Sequence, residues 1–132
     1  MGKTMIFESY IEQQIKLPIS GQYIVGQFSD NDIIVYQAFS KTIANYAVQN
    51  QKFGGAFYSF NRMSWIKPGF MWMMYRSGWA QKENQERILS IRIKMTGFLE
   101  VLNNATHSSY QPAIYASREV WERELKTHKV RL

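Results

Sequence analysis

The sequence contains no cysteine and only three prolines in 132 residues. The lack of cysteine excludes disulfides, thiolate zinc sites and cysteine nucleophiles. It is also compatible with a reducing compartment, and we expect a cytoplasmic protein. No continuous apolar run opens the chain, and Glu8 and Glu12 interrupt its first residues. A signal peptide and a membrane span are therefore not expected.

Several chemical motifs are also missing. The glycines match no P-loop, dinucleotide-binding or serine-hydrolase fingerprint. His107 and His128 are distant in sequence and have no carboxylate at metal-ligand spacing, so we expect no metal site. Carboxylates are outnumbered, ten against sixteen Lys and Arg, which gives a net charge of +6. This excess favours an anionic partner such as a nucleotide or a nucleic acid.

Aromatic residues are abundant, at 15% of the chain. Together with 45% hydrophobic residues, they can supply the core of one domain of this length. A small core rarely uses every ring, so some of them are expected to line a groove. No repeat or linker interrupts the sequence. We therefore expect an N-terminal arm over residues 1–21 and one domain over residues 22–132.

The first half of the chain favours strands around one helix. Apolar and β-branched runs predict strands at Tyr23–Phe28 and Ile33–Phe39, the second buried on both faces. Ser40 is expected to cap a helix that continues to about Lys52, with one apolar face. The paired glycines 54 and 55 then predict an aromatic loop through Met63.

A second helix is predicted over residues 69–78, because Pro68 suits its first turn. This helix is apolar almost all round, so we expect it to be largely buried. Strict alternation predicts a strand over Arg87–Lys94.

A helix over Met95–Leu102 with Thr96 as its cap, and another from Ser117 to about Lys126, should follow. Lys129 to Leu132 then looks like the start of a strand. This order predicts an α+β fold with a mixed β-sheet and packed helices.

The segment RMSWIKPGFMWMMYRSGW, residues 62–79, concentrates cations and aromatic rings. Such a set offers donors for phosphate beside flat faces for a base or a nicotinamide ring. Within it, we expect Met71–Met74 to be core, since an apolar helical stripe usually packs. Lys67 and Arg76, at the two ends of the helix, suit a site, although Arg76 also fits the C-terminus of a helix electrostatically.

Two further positions suggest chemistry. Gln37 follows Tyr36 inside an apolar strand, and a buried amide needs partners. It is either a satisfied core residue or a group facing a cleft. Glu86 precedes the strand that begins at Arg87 and is either an acid or base or a solvated carboxylate.

The run YQAFS, then RMSWIKPGFMWMMYRSGW, then QERILSIRI resembles a bacterial family known as domain of unknown function 4291. The similarity extends from about Ile33 to the end of the chain. It implies signature positions at Tyr36, Gln37, Arg62, Trp65, Lys67, Pro68, Trp72, Tyr75, Arg76, Gly78, Trp79, Glu86 and Arg87. Gly69 stands where the family usually has serine, and members usually continue past the strand at Val130, so we expect a chain shortened at its C-terminus.

Two alternative functions are predicted, and the leading one is an enzyme. The order of strands and helices resembles the first half of the ADP-ribosyltransferase fold, which implies an enzyme that binds NAD and modifies a nucleic acid, with no metal. Its catalytic residues would be Gln37, Lys67 and Glu86. The ligand-binding residues would be Tyr36, Arg62, Trp65, Tyr75, Arg76, Trp79 and Arg87.

The alternative is a non-catalytic nucleic-acid-binding module that uses a basic aromatic groove. A third class, a partner-binding protein, would instead present a contiguous apolar patch. The sequence indicates no oligomeric state.

Overall fold

The computed structural model describes residues 5–21 and 23–132, and it confirms the predicted α+β class. The elements of this part of the chain are α1 Tyr10–Lys16, β1 Asp32–Phe39, α2 Lys41–Asn50, α3 Phe70–Arg76, β2 Arg87–Lys94, α4 Met95–Asn103, β3 Ala105–Thr106, α5 Arg118–Thr127 and β4 Val130–Arg131. The strands form two small sheets, one of β1 and β2 and one of β3 and β4. Residue contacts divide the chain into two compact units.

The first unit comprises residues 1–29 and 33–92 and is built on β1. This strand is buried almost throughout, as its continuous apolarity predicts. Ile34 and Tyr36 form a core cluster with Met73 of α3, and Met5 and Ile88 pack against it. Because β1 is buried inside this unit, the segments that pair with it are held in place.

α2 forms as its sequence predicts. The Ser40 side chain accepts a hydrogen bond from the backbone N–H of Ile43, so it caps the first turn. The helix ends at Asn50, two residues before the predicted end, because Gln51 adopts a left-handed conformation with φ of 52°. Ala44 is its buried residue.

α3 departs from the prediction. Its residues are apolar nearly all round, but only Met73 is buried. Met71 is 60% exposed and Trp72 is 57% exposed, so the assignment of Met71–Met74 to the core was wrong for these two residues, whereas Met73 is buried and Met74 is half-buried. The helix has one packing face, which Met73 turns toward Ile34 and Tyr36. Its other faces reach the surface.

The predicted strand over Tyr23–Phe28 was also wrong. This segment has no regular structure except for an isolated bridge between Phe28 and Ile33. The backbone N–H of Ile34 donates to the carbonyl of Gln27 at 2.9 Å. Tyr23, Ile24 and Val25 are exposed. β-Branched residues favour a strand only where a neighbouring strand pairs with them.

The second unit comprises residues 30–32 and 93–132. α4 begins after Lys94, which makes no side-chain cap hydrogen bond, so the prediction of Thr96 as the cap was wrong. β3 and β4 pair in parallel, with Ala105 opposite Val130 and Thr106 opposite Arg131. The strand predicted at the end of the chain is therefore confirmed as β4.

Side-chain hydrogen bonds hold this small unit together. Thr106 is fully buried, and its hydroxyl lies 2.7 Å from Nδ1 of His128. The Tyr115 hydroxyl accepts from the backbone N–H of His107 at 3.0 Å and also contacts its Nδ1. Trp121, on α5, donates from Nε1 to the His107 carbonyl at 2.9 Å. Both histidines are thus engaged by neighbouring side chains.

The Ser117 side chain caps α5 by accepting from the backbone N–H of Val120, as predicted. Among residues 5–21 and 23–132, no helix is long and apolar enough to cross a membrane.

Candidate functional site

Backbone hydrogen bonds join the loop that carries Lys67 to β1. The backbone N–H of Tyr36 donates to the Lys67 carbonyl at 2.7 Å, and the Lys67 N–H donates back to the Tyr36 carbonyl at 3.0 Å. One residue along the strand, the Gln37 side chain donates from Nε2 to the hydroxyl of Ser64 at 3.0 Å. Gln37 is buried, so this bond gives its amide a partner. The strand therefore fixes residues 64–67 at two points.

Two cations and two indoles meet beside this pairing. The ammonium of Lys67 lies 4.0 Å from the ring centroid of Trp72 and 5.1 Å from that of Trp65. The guanidinium carbon of Arg76 lies 5.0 Å from the Trp65 ring. We call Trp65, Lys67, Trp72 and Arg76 the cation–indole cluster. Cation–π contacts of this kind stabilise by about 0.5–2 kcal/mol each.

The cluster is open to solvent. Trp65 is 61% exposed and Trp72 is 57% exposed, whereas Lys67 is partly buried. α3 makes this possible because it packs on β1 through Met73 and Phe70, which leaves Trp72 and Arg76 at the surface. Large exposed aromatic rings that are held in place by contacts offer flat faces to a ligand.

The cluster brings two positive charges close together. Partial burial, and secondarily the nearby Arg76 guanidinium, lower the pKa of Lys67 below its usual range. Within the described residues, no carboxylate forms a salt bridge with either cation, since the ion pair found there joins Lys16 and Glu8. Two cations that repel each other without a counter-ion favour the approach of a negative group.

Tyr36 supports the cluster from below. Its ring is buried and meets the ring of Phe70 edge-on at a centroid distance of 5.4 Å. Burial raises the pKa of its hydroxyl. Its backbone holds Lys67 and its side chain belongs to the core, so Tyr36 contributes position to the site.

The turn after α3 has an unusual backbone. The backbone angle φ is 60° at each of Gly78, Trp79 and Ala80. This is the left-handed region, in which residues other than glycine are strained. Ser77 stabilises this turn from a fully buried position. Its hydroxyl donates to the Met74 carbonyl at 3.0 Å and accepts from the Ala80 N–H at 3.1 Å. The turn places Trp79 at the surface.

Replacing Ser77 with alanine should therefore destabilise the protein by about 1–3 kcal/mol, because the Ala80 N–H loses its partner and the Met74 carbonyl keeps only the Trp79 N–H. Urea denaturation followed by circular dichroism measures this change. Ser59→Ala is the matched control, since Ser59 is exposed and accepts only one local hydrogen bond. Equal stability of the two variants would show that Ser77 does not hold the turn.

The remaining predicted site residues are not joined to the cluster by a described contact. Tyr75, Arg62 and Arg87 are exposed, and Arg87 donates to the carbonyl of Glu86. Glu86 accepts from the Asn84 N–H through Oε1 at 2.9 Å, and its buried Oε2 has no partner among the described residues. The structure thus gathers Gln37, Lys67, Trp65 and Arg76 around β1 and α3.

One feature of the charge distribution was not predicted from the motifs. Residues 33–82 contain six Lys and Arg and no Asp or Glu. The other ten cations of the chain are balanced by ten carboxylates, so this stretch carries the whole net charge. It runs from β1 to the turn after α3 and includes the cation–indole cluster. Mapping the spacing between carboxylates along the sequence would have revealed it.

No curated protein and no solved structure matches the chain. A family model matches residues 23–132, which cover most of its length and include every residue of the cation–indole cluster. The family suggested by the YQAFS and RMSWIKPGFMWMMYRSGW motifs is thereby confirmed, and the chain belongs to the family described as domain of unknown function DUF4291.

Proposed function

We propose that the cation–indole cluster binds single-stranded nucleic acid. The observation that supports this is the contact of Lys67 and Arg76 with two half-exposed indoles, in a stretch of chain without any carboxylate. Proteins that bind single strands combine basic side chains for the phosphates with aromatic rings for the bases. The cluster supplies both within one helix and the loop before it.

The two parts of the cluster have separate tasks. Lys67 and Arg76 neutralise phosphate, and Arg76 can do so through two parallel hydrogen bonds. Trp65 and Trp72 remain more than half exposed beside these cations. Unpaired bases stack on the exposed part of each indole, with a contribution of about 1–3 kcal/mol per base. Bases inside a duplex cannot reach such a surface. The ligand is therefore a single strand, and the sequence of the bases matters little.

Fluorescence anisotropy of a labelled oligothymidylate of eight nucleotides tests this function. Counter-ion release should make the affinity fall at least several-fold between about 50 and 200 mM salt, with a slope of about −0.7 for each phosphate neutralised. A duplex of the same length should bind more weakly at each salt concentration. Absent binding, or an affinity that salt leaves unchanged, would exclude the proposal.

A second function, an NAD-binding ADP-ribosyltransferase-like enzyme, is favoured by one observation. Glu86 has a buried carboxylate oxygen without a partner in the described part of the chain, which is a common property of catalytic acids and bases. Gln37 and Lys67 would be its other catalytic residues. It ranks second because no described hydrogen bond or ion pair joins Glu86 to Lys67. NAD should then raise the melting temperature and give a saturable calorimetric signal, and the absence of both would exclude it.

The pH dependence of binding follows from Lys67. Its lowered pKa means that the ammonium loses its proton at a lower pH than an ordinary lysine, below 10.5. Affinity for an oligonucleotide should accordingly decline as the pH rises toward 10.5, because the neutral amine no longer attracts phosphate. Lys67→Arg should keep its affinity over the same range, since a guanidinium stays charged. Parallel declines of the wild type and this variant would assign the effect to another group.

A cytoplasmic location belongs to the same proposal. A chain without cysteine suits a reducing compartment, and nucleic acid is present there.

A further inference from the structure

A second set of aromatic rings lies at the end of β1. Phe53 and Tyr58 stack at a centroid distance of 5.1 Å with an interplanar angle of 16°. Both rings pack on the buried Phe39, at 5.3 and 6.0 Å. Phe60 then meets Tyr58 edge-on at 4.8 Å. The loop of residues 53–60 therefore has a small aromatic core of its own.

Two glycines fit this loop closely against α2. A Cβ atom on Gly55 would lie 2.9 Å from the ring of Tyr46, and one on Gly54 would lie 3.2 Å from it. Both glycines also have positive φ, 153° for Gly54 and 90° for Gly55, which disfavours other residues. The backbone of the loop is thus set by contact with a helix.

The loop nevertheless presents two rings to solvent. Phe57 is 75% exposed and Phe60 is 76% exposed. Single exposed apolar residues are common, but these two stand on a loop that packing holds in shape. Lys52 and Arg62 flank it, and the loop lies inside the stretch without carboxylates. Its surroundings are basic and aromatic, like those of the cation–indole cluster.

The distance between the two aromatic sets is limited by the chain. Trp65 follows Phe60 by five positions in the sequence, which limits their Cα distance to about 18 Å. Stacked bases repeat at about 3.4 Å. About five base steps therefore cover the largest separation that the chain allows between Phe60 and Trp65.

We propose that Phe57 and Phe60 form a second base-stacking position for the same strand. This inference rests on the proposed function and adds the ligand's class, an oligonucleotide of several nucleotides. A mononucleotide reaches only one of the two sets. An anionic lipid surface has a similar charge preference, but a flat bilayer does not require two aromatic sets at the spacing of a few bases.

The experiment compares oligothymidylates of two, four and eight nucleotides by fluorescence anisotropy. The double variant Phe57→Ala with Phe60→Ala should weaken binding of the octamer by about tenfold or more, because the stacking of one or two bases is lost. It should leave binding of the dinucleotide unchanged. Phe7→Ala is the matched control, since Phe7 is equally exposed on the N-terminal arm. It should bind all three lengths like the wild type.

A second double variant, Phe57→Leu with Phe60→Leu, separates stacking from hydrophobic contact. It keeps apolar side chains and should weaken binding of the octamer as the alanines do. Unchanged octamer binding in both double variants, or equal losses for the octamer and the dinucleotide, would overturn the inference. If Lys67 and Arg76 still governed the affinity in that case, the proposed function would stand. If the leucine variant instead bound both the octamer and anionic phospholipid vesicles as the wild type does, that result would indicate a lipid surface as the partner of the two rings.

Discussion

Replacing both Lys67 and Arg76 with alanine is expected to weaken oligonucleotide binding by about 100-fold or more. The reason is the loss of two charged hydrogen-bond donors to phosphate, each worth about 1.5–3 kcal/mol. The salt dependence should change as well, with a slope that is shallower by about 1.4, because two fewer phosphates are neutralised. Anisotropy titrations at three salt concentrations measure both quantities. The fold should persist, since Arg76 is exposed and Lys67 only partly buried.

The matched control removes two cations of the second unit. Arg123 and Lys126 are exposed on α5, so their replacement by alanine lowers the net charge equally without touching the cluster. This variant should keep most of the affinity. If it lost as much as the Lys67 and Arg76 variant, binding would depend on net charge alone and the cluster would not be the site.

Replacing Met73 with alanine should produce the largest loss of stability among the α3 variants, about 2–5 kcal/mol. Met73 is 3% exposed and packs against Ile34 and Tyr36, so its truncation leaves a cavity under the helix. The helix has seven residues and no other buried side chain, so Met73 supplies most of its attachment to β1, and the half-exposed Phe70 adds a ring contact with Tyr36. Urea denaturation followed by circular dichroism measures the free energy of unfolding.

Met71→Ala is the internal control on the same helix. Met71 is 60% exposed, and its truncation should change stability by no more than about 0.5 kcal/mol. A loss as large as that of Met73→Ala would mean that α3 is buried on more than one face. The exposure of Trp72, on which the proposed site depends, would then be incorrect.

The strongly patterned elements could be predicted from the sequence. β1 follows from a continuous apolar run, and β2 from strict alternation between Arg87 and Lys94, where the predicted and observed bounds agree. α2 and α5 follow from serine caps before amphipathic segments. In each case, the local pattern and the tertiary contacts favour the same structure.

The errors occurred where local pattern and tertiary contacts differ. An apolar helix is expected to be buried, but burial needs a packing partner on each side, and α3 packs on β1 with one side, through Met73 and Phe70. Likewise, Tyr23, Ile24 and Val25 have strand-forming side chains without a paired neighbour. Sequence periodicity does not predict the burial of α3 or the pairing of residues 23–25, because both depend on which distant segments pack beside them.

The position of the candidate site was partly predictable. The aromatic and basic composition of residues 62–79 indicated the region, and Lys67 and Arg76 lie in the cluster as expected. The assignment of Trp72 to the core was wrong. Its exposure depends on how few contacts α3 makes, and the sequence does not show those contacts. The partner of Gln37 was also beyond prediction, since Ser64 is 27 residues away in sequence.

Photocrosslinking tests the central claim most directly. An oligothymidylate that carries 5-iodouracil is irradiated in complex with the full chain, and the crosslinked peptides are identified by mass spectrometry. Because stacking brings the base into contact with an indole face, we expect crosslinks at Trp65 or Trp72. Crosslinks confined to Tyr110 or Trp121 in the second unit, or the absence of any crosslink under conditions of saturated binding, would contradict the assignment of the cation–indole cluster as the binding site.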